Sequence, residues 1–216
     1  MLRGLLQDSL VADDEDVVGR WQRIQRPGVG RWLLIATLVL VLPILVIAGI
    51  LFGAGRSLAL GAVQHLAARK FPALEWVEAE ELEHWRSDSS RPRPVVLDAR
   101  TSPEYVVSHL KGALRIDPRT PSLRTVAAFP RDTPVVVYCT VGYRSARVGQ
   151  WLRRQGFHSV YDLAGGLFGW ANQGRPMEAD GRPVLQVHPY NALWGRVLKP
   201  EARADRPPVT DPLSLP

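Results

Sequence analysis

The chain has a single cysteine, Cys139, and Arg144 follows it five residues later. Cys139 comes directly after the apolar run VVVY at 135–138, and Gly142 and Ser145 lie in the stretch that follows. A turn from a strand into a helix directs successive backbone N–H groups inward, and the helix N-terminus adds partial positive charge. A thiol held there beside an arginine has a lowered pKa, which favours the thiolate. The pattern predicts a nucleophilic cysteine, and the alternative is a buried, unreactive one.

The composition excludes several other kinds of site. One cysteine cannot form an intramolecular disulfide or an internal dithiol relay. The five histidines are scattered along the chain without the spacing of zinc ligands, so we predict no metal and no cofactor. The net charge of +6 is spread thinly, which indicates a solvated surface and no nucleic acid partner.

The segment 75–176 alternates short β-branched runs with helical stretches. This alternation predicts an α/β domain with a central, mainly parallel, five-stranded sheet flanked by helices. The run at 135–138 is apolar on both faces, as a central strand requires. Helices are expected to begin at a Ser102 cap and at Ser145, and the second is expected to stop at Gly156. The expected strands lie at 76–77, 94–97, 114–116, 135–138 and 160–163.

Three ordered motifs resemble the single-domain rhodaneses, the thiosulfate sulfurtransferase-like family. The stretch at 95–118 is similar to the opening signature of the family, the loop at 139–145 to its active-site loop, and the segment at 163–176 to its closing segment. Ser108 departs from the pattern, because the family usually has glycine there. The residues that match the opening signature are Asp98, Arg100, Glu104, Tyr105, His109, Gly112 and Ala113.

The resemblance implies a sulfurtransferase with a rhodanese-like fold. Cys139 would attack the outer sulfur of thiosulfate or a related donor, and the resulting persulfide would pass its sulfur to a thiol or to cyanide. Arg144 would orient the anionic donor through paired N–H bonds, and the loop amides would stabilise the persulfide. The loop residues assigned to substrate binding besides Arg144 are Thr140, Val141, Gly142 and Tyr143. The residues expected to be structural near the site are Asp98, Arg100, Glu104, His109 and Ser145.

Two other functions compete with this one. A cysteine-dependent phosphatase or arsenate reductase also uses a cysteine and an arginine, but its signature has five residues between them, whereas four separate Cys139 from Arg144. An arsenate reductase would also need a resolving cysteine. The second alternative is a non-catalytic, membrane-localised rhodanese-like binding module, and such modules commonly lack the cysteine that this chain keeps.

A long apolar segment precedes the domain. No charged residue lies between Trp32 and Gly53, and at about 1.5 Å per residue this run is about 33 Å long, the thickness of a bilayer core. We predict a single transmembrane helix at 32–53 in the lipid bilayer, and the flanking positive charges weakly favour an extracytoplasmic catalytic domain. The other predicted segments are a polar N-terminus at 1–31, a juxtamembrane helix and linker at 54–74, the rhodanese-type domain at 75–176 and a proline-rich extension at 177–216.

The C-terminal extension contains seven prolines, so regular structure is expected to fade there. The last ten residues are expected to be disordered. Apolar and aromatic residues at 184–198 favour docking of this stretch on the domain, and binding to an unknown partner protein is the alternative.

Overall fold

The computed structural model describes residues 29–205, except for the side chains of Val29 and of residues 46–52. Within the described residues, the chain divides into two compact units between Phe52 and Gly53. Helix α1 (Val29–Lys70) begins in the first unit and ends in the second, and Pro43 lies within it.

The structure has one helix where the sequence predicted a transmembrane helix and a separate juxtamembrane helix. α1 continues through residues 54–70 because that stretch is rich in alanine and leucine and contains no proline. Among the residues that the structure describes, no helix has the length and apolarity needed to cross a bilayer. The transmembrane helix predicted at 32–53 is therefore not supported, and part of it, residues 46–52, lies outside the described side chains.

The second unit is built on a parallel five-stranded sheet with the strand order β1-β5-β4-β2-β3. All five predicted strands are confirmed, with small differences at their ends. β4 lies at the centre, and all four of its side chains are buried because apolar residues cover both faces of the sheet. The strands are β1 (Glu75–Val77), β2 (Val95–Asp98), β3 (Leu114–Arg115), β4 (Val135–Tyr138) and β5 (Val160–Leu163).

Four helices flank the sheet, and two begin elsewhere than predicted. The cap of α3 is Thr101 and not Ser102, because Glu104 accepts a hydrogen bond from the Thr101 N–H and closes a capping box. α4 begins at Tyr143 and not at Ser145, since Gly142 turns the chain at its N-cap. The helices are α2 (Ala79–Ser87), α3 (Ser102–Val107), α4 (Tyr143–Arg154) and α5 (Gly166–Asn172).

The C-terminal extension is more regular than its prolines indicated. β6 (Met177–Ala179) and β7 (Arg182–Val184) form an antiparallel hairpin, so the prediction of fading structure is wrong for this part. Asp180 and Gly181 both have positive φ, as a two-residue hairpin turn requires. The predicted docking of 184–198 agrees with the burial of Val187, Tyr190 and Leu198 in the apolar core, although Leu185 and Leu193 are exposed. Residues 206–216 lie outside the described residues.

Candidate functional site

Cys139 lies directly after the carboxyl end of the central strand β4, and its side chain is fully buried. The backbone N–H of Gly142 donates a hydrogen bond to the Cys139 Sγ at 3.2 Å. Gly142 has a φ of 105°, which side-chain-bearing residues rarely adopt, and a Cβ there would lie 3.3 Å from the ring of Trp76. The loop therefore needs glycine at this position to direct its amide towards the sulfur.

Several groups act on the charge of the Cys139 thiol. Burial acts to raise its pKa, but the charge of Arg144 and hydrogen bonds from Ser145 and Val141 outweigh burial, so the pKa lies below its ordinary value. The backbone N–H groups of Val141 and Ser145 and the Ser145 hydroxyl supply these bonds. The site therefore favours the thiolate, the nucleophilic form of cysteine.

Arg144 is held in a buried ion pair with Glu104. Its Nη1 donates to Glu104 Oε2 at 3.0 Å and its Nη2 to Glu104 Oε1 at 2.7 Å. Nη2 also donates to Thr140 Oγ1 at 2.6 Å, and the Thr140 hydroxyl in turn donates to Glu104 Oε1 at 2.9 Å. The paired N–H bonds that the sequence assigned to an anionic donor are thus made to Glu104. The buried Nε of Arg144 has no hydrogen-bond partner among residues 29–205.

Glu104 connects helix α3 to the cysteine loop. Its Oε2 accepts a hydrogen bond from the Thr101 N–H at 3.0 Å while the same carboxylate binds Arg144. Burial acts to raise the pKa of Glu104, but its hydrogen bonds with Arg144 and the charge of Arg144 dominate and lower this pKa to about 2. Glu104 therefore remains ionised and fixes the position of the arginine.

A second buried ion pair joins Asp98 and Arg100 away from the sulfur. Arg100 Nη2 is 2.7 Å from Asp98 Oδ2, and the Tyr138 hydroxyl donates to the same oxygen at 2.6 Å. Arg100 also donates to the carbonyl of Ser108. Ser108 has a φ of −172°, which any residue adopts, so this backbone does not require the glycine usual in the family.

Two other predicted residues contact neighbouring segments and not the sulfur. The ring of His109 stacks on Tyr105 with centroids 3.9 Å apart, and its Nε2 is 3.5 Å from Glu178 Oε1 in the C-terminal hairpin. The hydroxyl of Tyr143 accepts a hydrogen bond from Lys70 Nζ at the end of α1. Both side chains position segments that surround the site.

Three residues of the site were not identified from the sequence. Asp162 Oδ1 in β5 lies 2.8 Å from Ser145 Oγ, and an acid within an apolar run was the available signal. Gly166 follows another glycine at the start of α5, and its Cα faces the cysteine loop. The ring of Tyr190 lies 5.1 Å from the guanidinium carbon of Arg144, and nothing in the sequence around Tyr190 indicates this contact.

Known proteins match the part of the chain that carries this site. The model of the rhodanese-like domain family matches residues 78–173. A tRNA uridine(34) hydroxylase from Buchnera aphidicola is 30% identical over 115 residues, which cover 51% of this chain and 34% of the relative. A tRNA uridine(34) hydroxylase from Streptococcus pyogenes is 39% identical over 94 residues, which cover 40% of this chain and 27% of the relative. The matched region is about a third of the length of the first relative and about a quarter of the second.

Among solved structures, thiosulfate sulfurtransferase from Pseudomonas aeruginosa is 26% identical, with a TM-score of 0.45. The alignment covers 53% of this chain and 22% of that protein. The family match covers β2 to β5 and the whole cysteine loop. The protein therefore contains a rhodanese-like domain, with Cys139 at the carboxyl end of its central strand.

Proposed function

We propose that the protein is a sulfurtransferase that carries sulfur as a persulfide on Cys139. The observation that carries this proposal is the environment of Sγ, where backbone N–H groups and Arg144 favour a thiolate. The thiolate attacks the outer sulfur of thiosulfate, a new S–S bond forms, and sulfite leaves with the electron pair of the broken S–S bond. The persulfide anion remains on Cys139. No proton is transferred in this step, so it needs no general acid or base.

A thiophilic acceptor completes the cycle. Cyanide, or the thiolate of an acceptor, attacks the terminal sulfur, and Cys139 leaves as a thiolate ready for the next donor. The amides of Val141, Gly142 and Ser145 stabilise the negative sulfur in both forms. Arg144 acts chiefly through its charge and its Nε–H, because Glu104 binds both of its terminal nitrogens.

Thiosulfate is expected to add one sulfur atom to Cys139 of the full-length protein, because the site favours the thiolate that attacks it. Intact-protein mass spectrometry measures this gain, and subsequent cyanide should remove the sulfur and release thiocyanate. The matched control is Cys139→Ser, which should gain no sulfur since the chain has no other cysteine. A folded wild type that stays unmodified would contradict the sulfurtransferase proposal and favour the alternative of a non-catalytic binding module.

The reaction named for the hydroxylase relatives is not proposed for this chain. Those proteins are about three times as long as the region that matches, so most of their length has no counterpart in the alignment. A phosphatase is disfavoured because only four residues separate Cys139 from Arg144, and Glu104 already binds the terminal nitrogens of the arginine.

We also propose that residues 32–53 attach the protein to a lipid bilayer, with the catalytic domain on the extracytoplasmic side. Two observations support attachment. This stretch contains no charged residue, and its described large apolar side chains are exposed, as Leu34 (66%) and Leu40 (65%) illustrate. Extended apolar surfaces on a protein indicate contact with a membrane or a partner.

The full-length protein is expected to stay in the membrane pellet during alkaline carbonate washing, because apolar burial does not depend on the charges that this treatment changes. Immunoblotting of pellet and supernatant measures the distribution. A variant that lacks residues 32–53 serves as the control and should appear in the supernatant. Release of the wild type would contradict the attachment, and protease protection of the C-terminal domain in sealed vesicles tests its side.

A further inference from the structure

Asp162 is a buried acid that the sulfur-transfer scheme does not use. It lies in β5, and its side chain is fully enclosed (1% exposed). Its Oδ1 is 2.8 Å from Ser145 Oγ, while its Oδ2 has no hydrogen-bond partner among residues 29–205. An ionised carboxylate with an unsatisfied buried oxygen is strongly disfavoured. The geometry therefore favours the neutral carboxylic acid at Asp162.

The Ser145 hydroxyl has one hydrogen to donate. Its Oγ lies 2.8 Å from Asp162 Oδ1, and a hydrogen bond from the same side chain acts to lower the pKa of the Cys139 thiol. An ionised Asp162 can only accept, so it would draw the Ser145 hydrogen away from the sulfur. A protonated Asp162 donates its own hydrogen to Ser145 Oγ, and the Ser145 hydroxyl is then free to donate to Cys139.

We propose that protonated Asp162 is a positioning residue that directs the Ser145 hydroxyl towards Cys139. The inference deepens the proposed sulfurtransferase function and rests on it for the meaning of that hydrogen bond in catalysis. The acid is not consumed: the proton stays on Asp162 while Cys139 attacks the donor, holds the persulfide and releases it.

The surroundings decide which of the two groups carries the negative charge. Burial and the charge of Cys139 raise the pKa of Asp162 well above its ordinary value and outweigh hydrogen bonds from Ser145 and the Leu163 N–H, which act to lower it. The charge of Arg144 lowers the pKa of Cys139. Cys139, in the turn after β4, is the ionisable group that acts on Asp162. The residues paired with Asp162 in the neighbouring strands are uncharged: Trp76 in β1 and Val137 in β4. The residue of α4 that contacts it, Ser145, is also uncharged. The stable arrangement is therefore a thiolate at Cys139 next to an acid at Asp162.

This arrangement gives the reaction a defined dependence on pH. Sulfur transfer should rise with pH as Cys139 loses its proton, because the thiolate is the nucleophile. It should fall at higher pH as Asp162 ionises, because the second negative charge repels anionic thiosulfate and the Ser145 hydroxyl turns away from the sulfur. The two apparent pKa values belong to the coupled Cys139–Asp162 pair.

The deciding variant is Asp162→Asn, whose amide still donates to Ser145 Oγ but does not ionise. The rate of sulfur transfer from thiosulfate to cyanide by the full-length protein is measured across pH. The alkaline decline expected of the wild type should be absent in Asp162→Asn, which should be at least about threefold faster than the wild type at the alkaline end. Asp162→Leu removes the donor and should be slower at every pH by about tenfold.

A second measurement determines the ionisation of the Cys139 thiol directly and does not depend on sulfur transfer. Cys139 is the only cysteine, so the rate of its alkylation by iodoacetamide reports this thiolate alone. The alkylation midpoint should move to higher pH in Ser145→Ala, because that variant lacks the hydroxyl that stabilises the thiolate. Circular dichroism establishes that each variant is folded. An unchanged alkylation midpoint in Ser145→Ala overturns the inference even if neither Asp162 variant folds.

The possible results separate the inference from the proposed function. The inference would be overturned if the Asp162→Asn variant kept the alkaline decline. It would also be overturned if the Ser145→Ala variant had the same alkylation midpoint as the wild type. A wild type that transfers no sulfur, combined with the expected shift in alkylation, would overturn the sulfurtransferase proposal and leave the hydrogen-bond assignment in place.

Discussion

Replacement of Gly166 by alanine is expected to lower the rate of sulfur transfer by at least about 100-fold. Gly166 has a φ of 57°, and a Cβ at this position would lie 2.7 Å from the carbonyl oxygens of both Cys139 and Thr140. These are backbone atoms, so no side-chain rotation relieves the overlap and the cysteine loop itself must move.

The expected loss is large because the same carbonyls anchor the loop to α5. The carbonyl of Cys139 accepts a hydrogen bond from the Leu167 N–H at 2.8 Å, and that of Thr140 accepts one from the Phe168 N–H at 3.0 Å. A displaced loop would also move the Gly142 N–H away from Sγ. The strained φ and the overlap together are expected to lower the free energy of unfolding by about 2–4 kcal/mol.

Gly174→Ala is the matched control for this variant. Gly174 has a similar φ of 71°, but nothing lies within 4 Å of an added Cβ. This variant should lose about 1–2 kcal/mol of stability from the backbone alone and keep the wild-type rate of sulfur transfer. Urea unfolding and thiosulfate–cyanide turnover measure both properties. Equal losses of activity in the two variants would refute the proposed overlap with the loop.

Replacement of Glu104 by alanine is expected to lower the free energy of unfolding by about 3–5 kcal/mol. The change leaves the Arg144 charge buried without its carboxylate and also removes the acceptor for the Thr101 N–H. The matched control is Glu83→Ala, since Glu83 pairs with Arg175 at the surface and should contribute about 1 kcal/mol or less. Urea unfolding at neutral pH compares the two variants. Equal losses of unfolding free energy would show that the buried ion pair stabilises the protein no more than the surface pair does.

The Glu104 pair also predicts how stability changes in acid. The pKa of Glu104 falls from an ordinary 4.5 to about 2 in the folded protein, so folding favours its ionised form. Its contribution, about 3 kcal/mol, is present above pH 4.5 and is lost as pH falls through about 2. Glu104→Gln should lack this part of the acid dependence. Unfolding measured between these two pH values tests the prediction, and parallel curves for the wild type and the variant would contradict it.

The sequence predicted correctly those parts of the fold that depend on residues close together in the chain. β4 was recognised because VVVY is apolar at every position, and the loop after it because cysteine, glycine and arginine stand within six residues. The partner of Arg144 was not recognised, because Glu104 lies forty residues away on another helix. That contact depends on how α3 packs over the sheet, which no local pattern contains.

Asp162 and the C-terminal hairpin are two further features that were not predicted, each for its own reason. Asp162 was not identified from the sequence, because an acid in an apolar strand is a weak signal and its contact with Ser145 depends on the strand order that places β5 beside β4. The C-terminal hairpin was missed because the prediction rested on the number of prolines and did not consider the two-residue turn signal at Asp180 and Gly181. The turn conformation of Asp180 and Gly181 therefore determines the hairpin at 177–184, and the proline content of the whole extension does not.

The C-terminal extension contributes side chains to the core of the domain. Met177, Val187, Tyr190 and Leu198 lie in the same apolar cluster as Val136 and Tyr138 of the central strand. A fragment excised at residue 173, where the family match ends, would lose these partners and leave part of the cluster open to water. It would also lose the aromatic ring that covers Arg144. We therefore expect the cooperative folding unit to extend beyond the family match to about residue 204, and Tyr190 in this extension also covers Arg144.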